Sequence, residues 1–211
     1  MLLSLAGESV CLLADKAVWL PDRRALLISD LHLGKAGHFR KHGLGIPSDG
    51  GLGDLTRLST LIEGLNPRHL YLLGDLFHAE LNEEWEPVRA WLQKQSCLLS
   101  LIRGNHDILH VSVYQEAGIN VVDQENLGNL VLSHEPLGSL PAGKINVSGH
   151  IHPGVLLKGK ARQSLRLPCY YQQGNCLILP AFGMMTGLYL IPPKKEDNIY
   201  AIADGKVIQV L

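Results

Sequence analysis

The sequence of 211 residues has few cysteines, few aromatic residues and a modest content of charge. None of its four cysteines (Cys11, Cys97, Cys169 and Cys176) belongs to a Cys-x-x-Cys pair, which argues against a thiolate zinc site. Free thiols in a reducing cytoplasm are the simplest interpretation, and we expect a cytoplasmic location. A contact between Cys169 and Cys176, which flank an expected turn, stays open.

The sequence also lacks a long apolar run and an excess of basic residues. Met1–Leu5 have no basic flank and are followed at once by Gly7 and Glu8, so we expect no signal peptide and no membrane partner. The formal net charge of −1 does not favour a large nucleic-acid-binding face, although local basic clusters stay open. Length and composition favour a single domain over residues 1–211.

The order of secondary-structure patterns indicates the fold class. Apolar runs predict buried strands at 25–29, 69–73 and 97–102, and apolar spacing predicts helices at 54–65, 83–95 and 108–117. Residues 2–20 predict two short strands, and the glycine-rich residues 34–53 predict a long loop. Further strands are predicted at 119–122, 129–133, 144–148, 163–168, 175–179, 188–191 and 198–211. This order favours an α/β chain of the α+β type, with layered sheets flanked by helices, over a doubly wound fold.

Metal-binding residue types follow several of these predicted strands. They are Asp30, His32, Asp75, Asn105, His134, His150 and His152. Because loops at the carboxyl ends of strands converge, we expect these side chains to lie together. In Asp30-Leu31-His32 and His150-Ile151-His152, an extended backbone would place both side chains on one side. Such a set suits two divalent ions that share one carboxylate, with Mn²⁺ favoured and iron or zinc as alternatives.

The ordered fragments Asp-x-His, Gly-Asp, Gly-Asn-His-Asp, His and Gly-His-x-His resemble the calcineurin-like metallophosphoesterases over Ser29–His152. The resemblance implies a four-layer α-β-β-α sandwich of two mixed β-sheets flanked by helices. It implies one metal on Asp30, His32, Asp75 and His152, and a second on Asp75, Asn105, His134 and His150. It also implies a metal-bound hydroxide as the nucleophile and His106 as the general acid, oriented by Asp107.

A narrower resemblance is to the DNA-ligase-associated phosphoesterases of the PdeM group. It rests on Asp30–Lys35, His38–Arg40, Gly45–Pro47, Leu165–Cys169, Leu179–Gly183 and Thr186-Gly187. It implies a phosphodiesterase or endonuclease linked to DNA repair, with a phosphodiester substrate such as DNA. It also implies repair proteins associated with DNA ligase and helicase as partners.

Alternatives remain for several residues and for the function. Lys35, His38 and Arg40 are candidates for binding a substrate phosphate or a nucleic-acid backbone. For Lys41 and His42, a position in a solvated loop is the simpler interpretation. His106 has a second interpretation as a hydrogen-bonded structural histidine. The alternative functions are a small-molecule or nucleotide phosphatase and a non-catalytic scaffold. The scaffold is the weaker of the two, because every expected site position is filled.

Overall fold

The computed structural model describes residues 1–41, 43, 50–78, 80–159 and 163–211. The predictions for the Gly45–Pro47 segment and for the side chain of His38 lie outside these residues. The strands are β1 (Leu2–Leu5), β2 (Glu8–Leu12), β3 (Val18–Leu20), β4 (Ala25–Ile28), β5 (His69–Leu72), β6 (Leu98–Ile102), β7 (Ile119–Val122), β8 (Glu125–Leu127), β9 (Leu130–Leu132), β10 (Ile145–Ser148), β11 (Pro153–Lys158), β12 (Ser164–Gln173), β13 (Cys176–Ile178), β14 (Tyr189–Leu190), β15 (Asn198–Ala203) and β16 (Lys206–Gln209). The helices are α1 (Lys35–Lys41), α2 (Gly50–Leu65), α3 (Trp85–Leu92) and α4 (Val111–Glu116).

The first sheet has seven strands in chain order, β1 to β7. Strands β1 to β4 pair antiparallel through short turns. Strands β4 to β7 pair parallel, because the helices between them return the chain to the same edge. The carboxyl ends of four neighbouring strands therefore meet at one edge of this sheet.

The second sheet has nine strands and is also mixed. Strand β10 pairs parallel with β9 and with β13, so the segments that follow β9 and β10 leave the sheet at one edge. Strands β11 and β12 form an antiparallel hairpin, and β12 also pairs with β13 and β15.

Three clusters of buried apolar side chains hold these layers together. The first lies between one face of the first sheet and the helices, and includes Leu26, Leu58 and Val88. The second lies between the two sheets and joins Leu27 and Tyr71 to side chains of β9, β10, β12 and β13. A smaller third cluster covers the other face of the second sheet around Cys169. The expected sandwich of two mixed sheets is confirmed; in the described part of the chain no helix follows α4, so helices flank the sandwich on one side.

Most predicted elements are present, and three expectations need correction. The predicted loop at 34–53 contains α1 and the start of α2; helix α1 forms in spite of its glycine because Ala36 is buried and Asn82 Nδ2 donates to Gly34 O at 2.9 Å. Residues 2–20 contain three strands rather than two. Strands β8 and β11 were not predicted.

All four cysteines are free, so Cys169 and Cys176 do not pair. No helix among the described residues is both long and apolar enough to cross a membrane.

Candidate metal centre

The candidate ligands occupy the strand ends that the sequence predicts. Asp30 and His32 follow β4, Asp75 follows β5, and Asn105 follows β6. From the second sheet, His134 follows β9, and His150 and His152 follow β10. The two sheet edges meet here: the backbone N–H of His150 donates to the Asp30 carboxylate at 3.0 Å. The ligands therefore gather at the junction of the two sheets.

A first cluster consists of Asp30, His32 and His152, whose ligand atoms all lie within 4.8 Å of one another. Nε2 of His152 is 3.3 Å from Asp30 Oδ1 and 3.4 Å from His32 Nε2. Asp30 and His32 are buried. Burial lowers the pKa of His32 to about 3, so its imidazole is neutral near pH 7, as a metal ligand must be.

A second cluster consists of Asp75, His134 and His150, again within 4.8 Å. The amide oxygen of Asn105 faces both imidazoles, at 3.0 Å from His134 Nε2 and 3.1 Å from His150 Nδ1. On the other side of the His134 ring, Nδ1 lies 2.9 Å from Leu73 O. Because a carbonyl only accepts, Nδ1 carries the proton, and the Nε2 lone pair points into the cluster.

Asp75 contacts both clusters. Its Oδ2 is 3.6 Å from His32 Nε2, and its Oδ1 is 3.5 Å from His134 Nε2. The side chain is buried, and Oδ1 also accepts from the backbone N–H of His106 at 2.9 Å. Each carboxylate oxygen thus faces one cluster, which is the arrangement of a carboxylate shared by two metals.

The electron-pair donors of the two clusters lie close enough together to need cations between them. The unprotonated Nε2 of His134 faces the Asn105 oxygen and the Asp75 carboxylate, all of them electron-pair donors. Such groups repel one another unless a proton or a metal ion lies between them. The buried carboxylates of Asp30 and Asp75 add negative charge that two divalent ions would neutralise. The residues therefore fit a pair of divalent ions with mixed nitrogen and oxygen ligands.

The backbone at the centre is strained. Among the described residues ten non-glycine residues have a positive φ, and five of them are Asp30, His32, Asp75, His150 and His152. The expectation of an extended backbone through the Asp30 and His150 segments is therefore wrong. Left-handed residues cost about 1–3 kcal/mol each, so the surrounding fold must hold these conformations. Because of these left-handed turns, the His150 side chain lies in the second cluster and the His152 side chain in the first.

Two glycines allow the close packing of the clusters. A Cβ on Gly74 would overlap the His134 ring, and φ at this glycine is +82°. A Cβ on Gly149 would meet the side chains of Ser29 and Asp30. Any side chain at either position would push a ligand away from its cluster.

His106 lies beside the first cluster. Its ring is 5.2 Å, centroid to centroid, from His32. The carboxylate of Asp107 accepts from the backbone N–H groups of Asp75 (2.8 Å), Leu76 (3.0 Å), Phe77 (3.5 Å) and Gly104 (2.8 Å). Among the described residues no hydrogen bond joins Asp107 to the His106 ring. Asp107 fixes two ligand loops to each other, and burial raises its pKa to about 6.

No sequence pattern predicts a role for His78, yet this residue belongs to the site. Its Nδ1 is 3.2 Å from Nδ1 of His32, and its ring stacks on His106 with centroids 4.8 Å apart. When Nε2 of His32 acts as a ligand, Nδ1 carries the proton and donates to His78. A signal was present in the sequence, because His78 comes three residues after Asp75 in the same loop.

Two of the predicted substrate-binding residues, Lys35 and Arg40, differ in the partners of their charged groups. The Lys35 ammonium donates to Met185 O at 3.1 Å, and burial lowers its pKa. The Arg40 guanidinium contacts Glu83 at 2.7 Å and Glu84 at 2.8 Å. The charge of Arg40 is therefore balanced by two carboxylates, whereas Lys35 keeps a charge near the loop of the first cluster.

A sandwich of two mixed sheets, with two ligand clusters that share one aspartate at their junction, defines a metallophosphoesterase. The chain belongs to the calcineurin-like phosphoesterase family, whose model matches residues 23–167. Members of this family are phosphoester hydrolases that use divalent metals, so the resemblance inferred from the sequence is confirmed.

A solved structure supports this assignment. The chain is similar to the nuclease MPE of Pseudomonas putida, with 32% sequence identity and a TM-score of 0.83, over 100% of this chain and 99% of that one. It also matches Yfce, a phosphoesterase from E. coli, with 17% identity and a TM-score of 0.48 over 88% and 97% of the two chains. A search of curated proteins gave no match.

Proposed function

We propose that the protein is a two-metal phosphodiesterase that cleaves nucleic acid. The observation that carries the proposal is the orientation of Asp75, with Oδ2 toward His32 and Oδ1 toward His134. Asp30, His32, Asp75 and His152 would hold one ion, and Asp75, Asn105, His134 and His150 the other. When bound, two such ions supply a hydroxide nucleophile near neutral pH and stabilise the charge that develops on phosphorus.

Residues of the chain account for the remaining chemistry. His106 is partly exposed beside the first cluster, so its ring can protonate the leaving oxygen of a substrate. His78 stacks on this ring and limits its rotation. Lys35, which pairs with no carboxylate in the described ranges, would contact a phosphate oxygen of the substrate.

The surroundings of the centre support a long substrate. Beside Asn105 and His134 the surface forms an open groove of about 370 Å³, which Arg103, Asp123 and Glu135 also line. An open groove admits a chain that continues on either side of the scissile bond. The similar protein from P. putida is a nuclease. We extend the proposal to DNA repair, beside DNA ligase and helicase, on the narrower resemblance around Asp30–Lys35.

The test compares a chromogenic phosphodiester with the matching phosphomonoester. Metal-free protein is supplied in turn with Mn²⁺, Fe²⁺, Zn²⁺ and Mg²⁺, and hydrolysis of both compounds and of a single-stranded oligonucleotide is measured. We expect diester and oligonucleotide hydrolysis with Mn²⁺ and slower monoester hydrolysis. A faster monoester reaction with no oligonucleotide cleavage would instead support the phosphatase, and no hydrolysis with any metal would support the scaffold.

A further inference from the structure

The charge of the chain is divided unevenly along its length. Residues 136–195 contain none of the 20 Asp and Glu residues and seven of the 19 Lys and Arg residues. These seven are Lys144, Lys158, Lys160, Arg162, Arg166, Lys194 and Lys195. The remaining residues hold twelve cations and all twenty acids, so the overall net charge of −1 conceals a segment of +7 beside a remainder of −8.

The acid-free segment includes the hairpin of β11 and β12, which starts at the metal centre. Strand β11 begins at Pro153, directly after the candidate ligand His152. Leu156 pairs with Arg166, and Lys158 with Ser164. At about 3.3 Å per residue, Arg166 lies within roughly 13 Å of His152 along the strand. Lys158 lies two residue pairs farther out.

One face of this hairpin is exposed and cationic. Because side chains alternate, Leu156, Lys158, Ser164 and Arg166 share a face, and all four are exposed. The opposite face carries Val155, Leu157 and Leu167, which pack in the third apolar cluster. In the part of the chain that the structure describes, neither Lys158 nor Arg166 forms a side-chain hydrogen bond or an ion pair.

We propose that this face binds the phosphate backbone of a nucleic-acid strand a few nucleotides from the scissile bond. The face is here called the arm face and consists of Leu156, Lys158, Ser164 and Arg166. Charge complementarity selects the occupant: two cations with no acidic residue on either strand suit a polyanion, and the arm face is continuous with the centre through His152. The proposal rests on the proposed function for the position of the scissile phosphate.

The chain offers a matched control for the two cations. Arg68 and Lys94 are also one exposed arginine and one exposed lysine. They lie just before β5 and after α3, at the amino ends of the parallel strands, opposite the edge that holds the centre. The double variants Lys158→Ala/Arg166→Ala and Arg68→Ala/Lys94→Ala therefore remove the same charge from two different faces.

Binding is measured first, on chelator-treated protein, by fluorescence anisotropy of a labelled single-stranded oligonucleotide over a range of salt concentrations. Loss of two phosphate contacts should flatten the slope of log affinity against log salt by about 1.4 in the arm variant. The control variant should keep the wild-type slope, and Lys158→Glu/Arg166→Glu should bind more weakly than the alanine variant. Equal slopes in the arm and control variants would overturn the proposal.

Hydrolysis then separates this proposal from the proposed function. With metal supplied, the arm variant should cleave a small chromogenic diester at the wild-type rate and the oligonucleotide at least several-fold more slowly. Equal losses on the two substrates would also overturn the arm proposal. Wild-type protein that binds the oligonucleotide through the arm face but hydrolyses neither substrate would contradict the proposed function alone.

Discussion

The two sheets contribute chemically different halves of the candidate metal centre. Strand ends of the first sheet supply all the oxygen donors, Asp30, Asp75 and Asn105, with one imidazole from His32. Strand ends of the second sheet supply only imidazoles, from His134, His150 and His152. Each cluster mixes the two halves, because His152 joins the first and His134 and His150 join the second.

Because the ligand types are divided between the two sheets, neither sheet forms a metal site by itself. The oxygen-rich half would carry uncompensated negative charge, and the imidazole half would lack anionic ligands. The apolar cluster between the sheets brings the halves within ligand distance. Residues that belong to both halves, or that align one half with the other, should therefore have the largest effects when they are changed.

Asp75→Asn should have the largest effect, because Asp75 is the side chain that contacts both clusters. We expect diester hydrolysis to fall below detection and the bound metal, measured by elemental analysis, to drop sharply. Asparagine tolerates a positive φ, so the substitution removes a charge without adding strain at a residue with φ of 52°.

Asp204→Asn is the matched control for that variant. Asp204 is exposed and has a φ of 48°, so the same substitution is made in the same backbone conformation outside the centre. It should keep wild-type activity and metal content. Full metal occupancy in the Asp75 variant would contradict its place in both clusters.

His106→Ala should have the next largest effect. The first sheet would keep its ligands but lose the proposed proton donor, so activity on a poor leaving group should fall roughly 10²–10⁴-fold. The loss should shrink for a nitrophenolate leaving group, which needs little protonation. Metal content should be unchanged. Equal losses for both leaving groups would favour the structural role of His106.

His78→Ala should weaken metal binding at the first cluster, because His32 loses its hydrogen-bond partner. Removing a hydrogen-bond partner of a ligand typically lowers metal affinity or activity about 10- to 100-fold. His78→Asn should restore part of the loss, because its side-chain oxygen can accept from His32 Nδ1. The check is metal titration followed by diester hydrolysis; two variants with the same defect would exclude the hydrogen bond as the cause.

Asp107→Asn should have the smallest effect on chemistry and a clear effect on stability. Four backbone N–H groups donate to the Asp107 carboxylate, and an amide NH₂ would face at least one of them. The free energy of unfolding, measured with urea, should fall by about 1–3 kcal/mol. Asp204→Asn again serves as the control, and an unchanged unfolding midpoint would argue against the bridging role of Asp107.

Much of the fold and of the candidate ligand set could be predicted because both follow local patterns. Buried parallel strands such as β4 and β5 are mainly apolar runs, and a candidate ligand, Asp30 or Asp75, follows each of them within three residues. Strand β11 escaped prediction because it opens with Pro153 and Gly154, which usually mark turns. Helix α1 was not predicted because a hydrogen bond from Asn82, which is distant in sequence, offsets the helix-destabilising effect of its glycine.

Net charge illustrates a different limit. Averaged over the chain, −1 does not favour a nucleic-acid surface, whereas the distribution of the same residues separates an acid-free segment from an acidic remainder. The sequence already contained this asymmetry. Only the strand register, in which Leu156 pairs with Arg166, shows that Lys158 and Arg166 share one exposed face of the hairpin beside His152.

The sequence by itself determined which residue types stand at the strand ends, and hence the family and the candidate ligands. The tertiary structure decided how they are used: Asp75 faces both clusters, His150 and His152 separate, and Arg40 pairs with glutamates. The physical reason is that hydrogen bonds between distant segments hold the left-handed turns of the ligand loops. His150 N–H donates to the Asp30 carboxylate and Phe182 N–H donates to Ser29 O, 120 and 153 residues apart in sequence, and no local pattern encodes contacts of that range.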